Sequence, residues 1–291
     1  MQPADIIPVF KLYGEQRGWP TPDLLHCESI HQRSSLYEWH IRVHQHAEIV
    51  QLLYLHRGEA TIDIEGQTTV MRDACIQVIP ALCVHGFRFS PGTQGYVLSL
   101  ALPLIGRLES QFPQPLPLLN TPQCVPVAQS RSHIRTLFSA LQREYQTDNE
   151  AREMMLFSLL SALLVWLRRQ SRPVQPPNDT LARRRSAIRL FARQIESHYR
   201  EHLPLAEYAH RIGLSANYLN QLCREFHHCS ALSVLHQRLM LEAKRSLQYT
   251  SMTVSQISDY LGFSDVTYFS RFFKKHSALS PKAYREFIKN K

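Results

Sequence analysis

Four residues near the start of the chain carry ligand chemistry at a usable spacing: His44, His46, Glu48 and, much later, His85. Alternate residues of a β-strand face one side, so His44-x-His46-x-Glu48 on a strand presents two imidazoles and a carboxylate together. His85 can join them from a second strand. Two histidines, a carboxylate and a third histidine suit zinc, iron or manganese. The same groups also serve as hydrogen-bond partners for a small organic effector, or satisfy polar groups in a barrel mouth, without any metal. The effector or structural role is the reading adopted, with no cofactor expected; the metal set His44, His46, Glu48 and His85 is the alternative.

The elements that must hold these histidines read as short strands. The runs EIVQLLYLHRG, EATIDIEG, QTTVMRD, CIQVIP and GYVLSLAL are β-prone, closely spaced and separated by turn signals, with glycines at 58, 66, 86, 92 and 95. That pattern predicts a small antiparallel barrel or sandwich. The proline-rich stretch PLIGRLESQFPQPLPLLNTPQ cannot be one continuous helix and is expected to wrap the strands as loop. Helical patterns follow over 132–146 and 151–169. The second places Met155, Leu159, Ala162, Leu163 and Trp166 on one face with further apolar residues beside them, more than one small barrel needs. Its expected cover is its neighbour or a second subunit, and a homodimer through the 151–169 helix is the reading adopted, with simple packing on the barrel as the alternative. The apolar run 154–167 is shorter than the ~18–20 residues of a membrane span, and no membrane association is expected.

Charge divides the chain. Residues 1–170 hold 14 Lys/Arg against 15 Asp/Glu, while 171–291 hold 19 against 9, so the whole excess of the +9 chain lies in its C-terminal region. Such asymmetry points to a polyanion at one end only. The break falls at SRPVQPPNDT and LARRRS, giving a first domain over 1–170, a linker over 171–186 and a helical domain over 187–291. Six scattered cysteines and no export signal predict free thiols in a reducing cytoplasm.

Within the basic region a single pattern occurs twice, LAEYAHRIGLSANYLNQLCREF and VSQISDYLGFSDVTYFSRFFKKH, with Gly213 and Gly262 standing 49 residues apart. A small residue mid-helix (Ala209, Ser258) lets the next helix cross closely. The glycine takes the positive φ that stops the helix. Ser215, or Ser264 with Asp265, can cap the second helix. Leu219 and Leu222, or Phe269, Phe272 and Phe273, pack that helix inward; Tyr218 is also assigned to the core. Each copy is a helix-turn-helix, whose second helix enters the major groove with its first residues nearest the bases. An amphipathic helix carrying Leu235, Leu239, Ala243 and Leu247 joins the two.

Through RLMLEAKRSL, VSQISDYLGFSDVTYFSRFFKKH and SALSPKAYR, the last hundred residues resemble the AraC/XylS family of transcription regulators. One departure is FHHCSALSVL, which replaces a glycine-containing turn before the linker helix. The run from WHIRVHQHAEIV through VIPALCVHGF resembles the cupin-like effector barrel of the same regulators. The resemblance implies a two-domain α+β chain: a cupin-like barrel with two dimerisation helices, then an all-α domain of two helix-turn-helix subdomains. By position, Asn217, Asn220, Gln221, Val266, Thr267, Ser270 and Arg271 would read bases, with Asn and Gln suited to adenine and Arg271 to guanine. Arg224, Arg245, Lys274, Lys275 and Lys282 would meet phosphates. It further implies a sequence-specific regulator that binds double-stranded DNA, contacts RNA polymerase and activates a catabolic operon rather than catalysing a reaction. The alternative is a metal-dependent cupin enzyme fused to a DNA-binding domain. Likeness to regulators of 4-hydroxybenzoate and 4-hydroxyphenylacetate catabolism implies an aromatic carboxylate as effector, with Arg42, His44, His46, Tyr54, His85 and Arg88 as its candidate partners.

Overall fold

A computed structural model describes residues 9–10, 23–34, 38–72, 74–113, 116–170 and 180–289. The chain divides into two compact units, with the main break after residue 178.

Among the described residues the first unit has ten strands, β1 (Val9–Phe10), β2 (Leu25–Ser29), β3 (His40–His46), β4 (Ile49–Arg57), β5 (Ala60–Ile64), β6 (Gln67–Met71), β7 (Cys75–Ile79), β8 (His85–Phe89), β9 (Gln94–Ala101) and β10 (Gln123–Pro126), with a short helix, α1 (Ile30–Ser34), directly after β2. They form two five-stranded sheets, β1-β3-β8-β5-β6 and β10-β7-β4-β9-β2. No pairing among the described residues joins the two into a closed barrel. Inward side chains of both sheets, Leu53, Leu55, Ile62, Ile79, Phe87, Phe89 and Val97 among them, make one apolar core. The β5–β6 hairpin turns at Glu65-Gly66, both at positive φ (52° and 77°), the pair of angles that matches strand twist in a two-residue turn.

The proline-rich stretch is more ordered than a loop. Pro103 sits in the first turn of α2 (Leu102–Glu109), where its missing N–H does no harm, and a 3-10 turn (Pro117–Asn120) precedes β10. Helix α3 (Arg131–Gln146) covers the outer face of the second sheet, where Phe138 stacks on Tyr54 with ring centres 4.7 Å apart. Helix α4 (Arg152–Gln170) buries Leu156, Leu160, Leu163, Leu164 and Leu167. Of the expected stripe, Leu163 is buried and Leu159 and Trp166 are half-buried, while Ala162 and Met155 are exposed; Met155 and its neighbour Met154 are 51% and 69% exposed. No described helix is long and apolar enough to cross a membrane, and all six cysteines are free thiols.

The second unit is helical. Of the expected linker, residues 171–179 lie outside the described residues, and 180–186 are not linker but the start of α5 (Thr180–His198). Leu-Ala-Arg-Arg-Arg is a run of strong helix formers, and it leads into Ile188, Phe191 and Ile195, buried on one face. A 3-10 turn (Tyr199–Glu201) precedes α6 (Leu205–Arg211), α7 (Ala216–His227), α8 (Ala231–Tyr249), α9 (Val254–Tyr260), α10 (Val266–Ser277) and α11 (Pro281–Lys289). In α8, Leu235, Leu239, Ala243 and Leu247 are all buried. Where the family turn carries a glycine, His228 takes the left-handed conformation (φ 54°) that ends α7.

Candidate functional site

The two helix-turn-helix copies close with the same bonds. The amide of Leu214 donates to Ala209 O (2.9 Å) and that of Phe263 to Ser258 O (3.0 Å), on either side of glycines at φ 72° and 77°. This reach back across the glycine satisfies the last helical carbonyls. Ala209 and Ser258 are both fully buried, as a close helix crossing requires. Ser215 Oγ accepts from the Tyr218 amide (3.2 Å) to cap α7, and Asp265 Oδ1 from the Tyr268 amide (2.8 Å) to cap α10. The Tyr268 amide, with help from Thr267 and Arg271, holds the Asp265 carboxyl below the usual range.

Each capped helix is half core and half surface. Leu219, Leu222, Cys223 and Phe226 anchor α7, and Phe269, Phe272 and Phe273 anchor α10. Asn217, Gln221 and Arg224 on α7 are exposed, as are Val266, Thr267, Arg271, Lys274 and Lys275 on α10 and Lys282 on α11. Ser270 is half-buried.

Three placements differ from expectation. Asn220 is turned aside: its Oδ1 accepts from the first amide of α8, that of Ala231, at 3.0 Å, so it fastens two helices. Arg245 is only 9% exposed and lies over the Tyr249 ring at 5.5 Å, because α8 is covered on several sides. Tyr218 is not core but 39% exposed, and its counterpart Tyr268 is 54% exposed. Both stand in the first turn of their helices among the outward residues. Aromatic type favoured an inward assignment for Tyr218.

In the first unit, His44, His46 and His85 meet inside, each no more than 6% exposed. His44 pairs directly with His85 across β3 and β8. The ring centres lie 4.4–5.4 Å apart, and His44 Nε2 is 3.2 Å from His46 Nε2. Nδ1 of His44 is 2.8 Å from Arg42 O, and Nδ1 of His85 is 2.9 Å from Cys83 O. A carbonyl only accepts, so both rings donate from Nδ1, and in His44 this leaves an Nε2 lone pair turned inward toward His46, while His85 Nε2 faces the Gln51 side-chain oxygen. The Gln51 amide adds Oε1 at 2.9 Å from His85 Nε2 and Nε2 at 3.0 Å from Ser99 Oγ. Gln51 is a site residue that no spacing in the sequence marked.

The other candidates stand elsewhere. Glu48 is buried in the bend after β3, which ends at His46, and does not join the three-histidine group. A register shift between Ile41 and His44 inserts one residue; Ile41 packs toward the core and His44 lies inside, while Arg42 is exposed. Arg88, three residues from His85, is exposed on the opposite face of β8. Tyr54 likewise stands three residues from Gln51 and faces α3, not the histidines.

An enclosed polar cluster in a β-rich unit, followed by a basic unit with two outward-facing recognition helices, defines a ligand-responsive transcription regulator. Comparison with known proteins agrees: residues 26–161 match the AraC-like ligand binding domain and residues 208–286 a helix-turn-helix domain. The chain belongs to the AraC family of transcription regulators, with an effector-binding domain and a DNA-binding domain. It is 27% identical over 234 residues to the arabinose operon regulatory protein of Salmonella typhimurium, spanning 79% of this chain and 80% of that one. It is 24% identical over 260 residues to the uncharacterized HTH-type transcriptional regulator YdiP of Escherichia coli, spanning 87% and 84%. Among solved structures, ToxT K231A of Vibrio cholerae aligns over 91% of this chain and 98% of its own, with 10% identity and a TM-score of 0.41.

Proposed function

We propose that this regulator activates a catabolic operon in response to a small aromatic carboxylate held between its two sheets, and acts as a homodimer through α4. The observation that carries the effector reading is the polar cluster of His44, His46, His85 and Gln51 set beside aromatic rings. His85 packs on Phe87 at 5.3 Å and Phe87 on Phe89 at 5.7 Å. With Arg42 and Arg88 facing away, the acid's partner becomes an imidazole Nε2, which takes the carboxyl proton and donates it back in an imidazolium–carboxylate pair. Regulation of a catabolic operon is supported by the relative named for the arabinose operon. Dimerisation is supported by the exposed Met154–Met155 side of α4. No catalytic step is assigned to the histidines; the regulator's output is contact with RNA polymerase. An effector shifts that output only if it binds one arrangement of the protein more tightly than the other.

The test is selection of genomic fragments by the purified protein with and without hydroxylated aromatic acids, with sugars run in parallel. A two-half-site motif beside an aromatic-degradation operon, responding to one acid, supports the reading. A response to a sugar alone removes the acid. On the recovered site, Arg271→Ala is expected to cost about 1–3 kcal/mol and relax preference at one base pair. Lys274→Ala is expected to weaken all sequences alike and flatten the salt dependence by roughly one ion. Identical behaviour of the two variants in a binding titration would refute this division of roles.

A further inference from the structure

We infer that His44, His46 and His85 form a binding site for a divalent transition-metal ion, with zinc the best chemical match. The ligand atoms of the three rings lie within 4.8 Å of one another, and two of them are already 3.2 Å apart. Donors held at about 2.0–2.1 Å from a tetrahedral zinc stand roughly 3.3 Å from each other, so small ring rotations complete the set.

The surroundings are those of a ligand site. Metal-binding imidazoles donate their remote N–H to a fixed acceptor, which orients the ring and raises its basicity. His44 and His85 both do so, each to the carbonyl two residues before it. All three rings are buried, with His44 and His85 cross-strand partners and His46 two residues further along β3, so their positions are set by rigid elements. Nitrogen-only donors favour zinc, nickel, copper or iron over magnesium and calcium.

Three protein donors leave a fourth position. An ion takes the place of the His85 Nε2 proton that Gln51 Oε1 accepts, which leaves this oxygen at the edge of the fourth position, where a carboxylate from a bound molecule would also fit. The ion would then supply the positive charge that the outward-facing Arg42 and Arg88 do not. Coordination of an acid rests on the effector reading; the metal site does not.

The experiment uses the full chain, stripped with chelator, dialysed against Zn²⁺ and analysed for bound metal. One zinc per chain is expected in the wild type and in His133→Gln, whose histidine is exposed on α3. His44→Gln and His85→Gln are expected to retain none. Co²⁺ added to the wild type reports independently of those variants folding, through the intense visible absorption of a four-coordinate nitrogen site. Absence of that band, or zinc retention unchanged in folded histidine variants, overturns the site. Acid-dependent DNA binding is then compared in zinc-loaded and metal-free protein. A response in metal-free protein that retains no zinc keeps the effector and removes the metal. Stoichiometric zinc without any acid response keeps the metal and removes the effector.

Discussion

Arg238→Met is expected to destabilise the helical unit by about 3–5 kcal/mol, the range for removing one partner of a buried ion pair. Arg238 is 4% exposed. Its Nε and Nη2 hold both oxygens of Glu196 at 2.7 and 2.8 Å, its Nη1 holds Glu242 at 2.9 Å, and its flat face lies 4.1 Å from the Tyr199 ring centre. One side chain thus ties α5, α8 and the turn before α6 together. Lysine is not expected to rescue the variant, since an ammonium cannot reproduce a two-pronged bond and two further contacts.

The loss is expected to depend on pH. Burial raises the Glu242 pKa, but Arg238, aided by Arg245 and Arg200, outweighs burial and holds it below its ordinary 4.5. A depressed folded-state pKa stabilises the wild type above about pH 4.5, and that contribution disappears as pH falls through the folded value. In the variant the chief opposing charge is gone, so burial favours protonation and acid is relatively less harmful. The gap between the two proteins should narrow from neutral pH towards about pH 4.5. Helical circular dichroism during urea unfolding measures it. Trp39 and Trp166 lie in the first unit, so their fluorescence, read with Trp19 replaced by Phe, is the control. An unchanged gap would mean that Arg238 acts through packing on Tyr199 and not through charge.

The second large effect separates the twin glycines. Gly262→Ala is expected to lose roughly 3–4 kcal/mol, and Gly213→Ala only about 1–2, the cost of a left-handed non-glycine residue. Their angles are nearly equal, but a methyl on Gly213 meets nothing within 4 Å. On Gly262 it overlaps the Arg200 carbonyl oxygen and crowds the His202 ring. The obstacle is backbone and cannot swing aside. The same strip carries the bonds from Arg200 Nη2 to the Tyr260 hydroxyl (2.7 Å) and between His202 Nε2 and Leu261 O (2.9 Å). Relief of the overlap would break them and loosen the second recognition helix. Footprinting of Gly262→Ala should therefore show protection lost at the half-element read by α10 and kept at that read by α7. Equal unfolding losses for the two alanine variants would rule out close approach as the cause.

Features that arise within a few residues were legible in the sequence alone. Gly213 and Gly262, the small residues before them and the capping Ser215 and Asp265 make a helix-turn-helix through bonds spanning three to five positions. Their repetition identified both copies before any packing was known. The two-residue spacing of His44 and His46 likewise set them on one strand face. What depends on distant partners emerged only from the folded chain. Cross-strand register brought His85 against His44. The irregularity after Ile41 turned Arg42 outward, and the end of β3 at His46 took Glu48 away. Asn220 is half-buried because α8 starts against it, and Arg245 is buried because α8 is covered there. Twin glycines that are indistinguishable in sequence differ because only Gly262 has another segment's backbone lying against it. Periodicity and capping are local properties of the chain, whereas register and burial exist only between segments, and in this protein they decide which polar groups face a ligand or DNA.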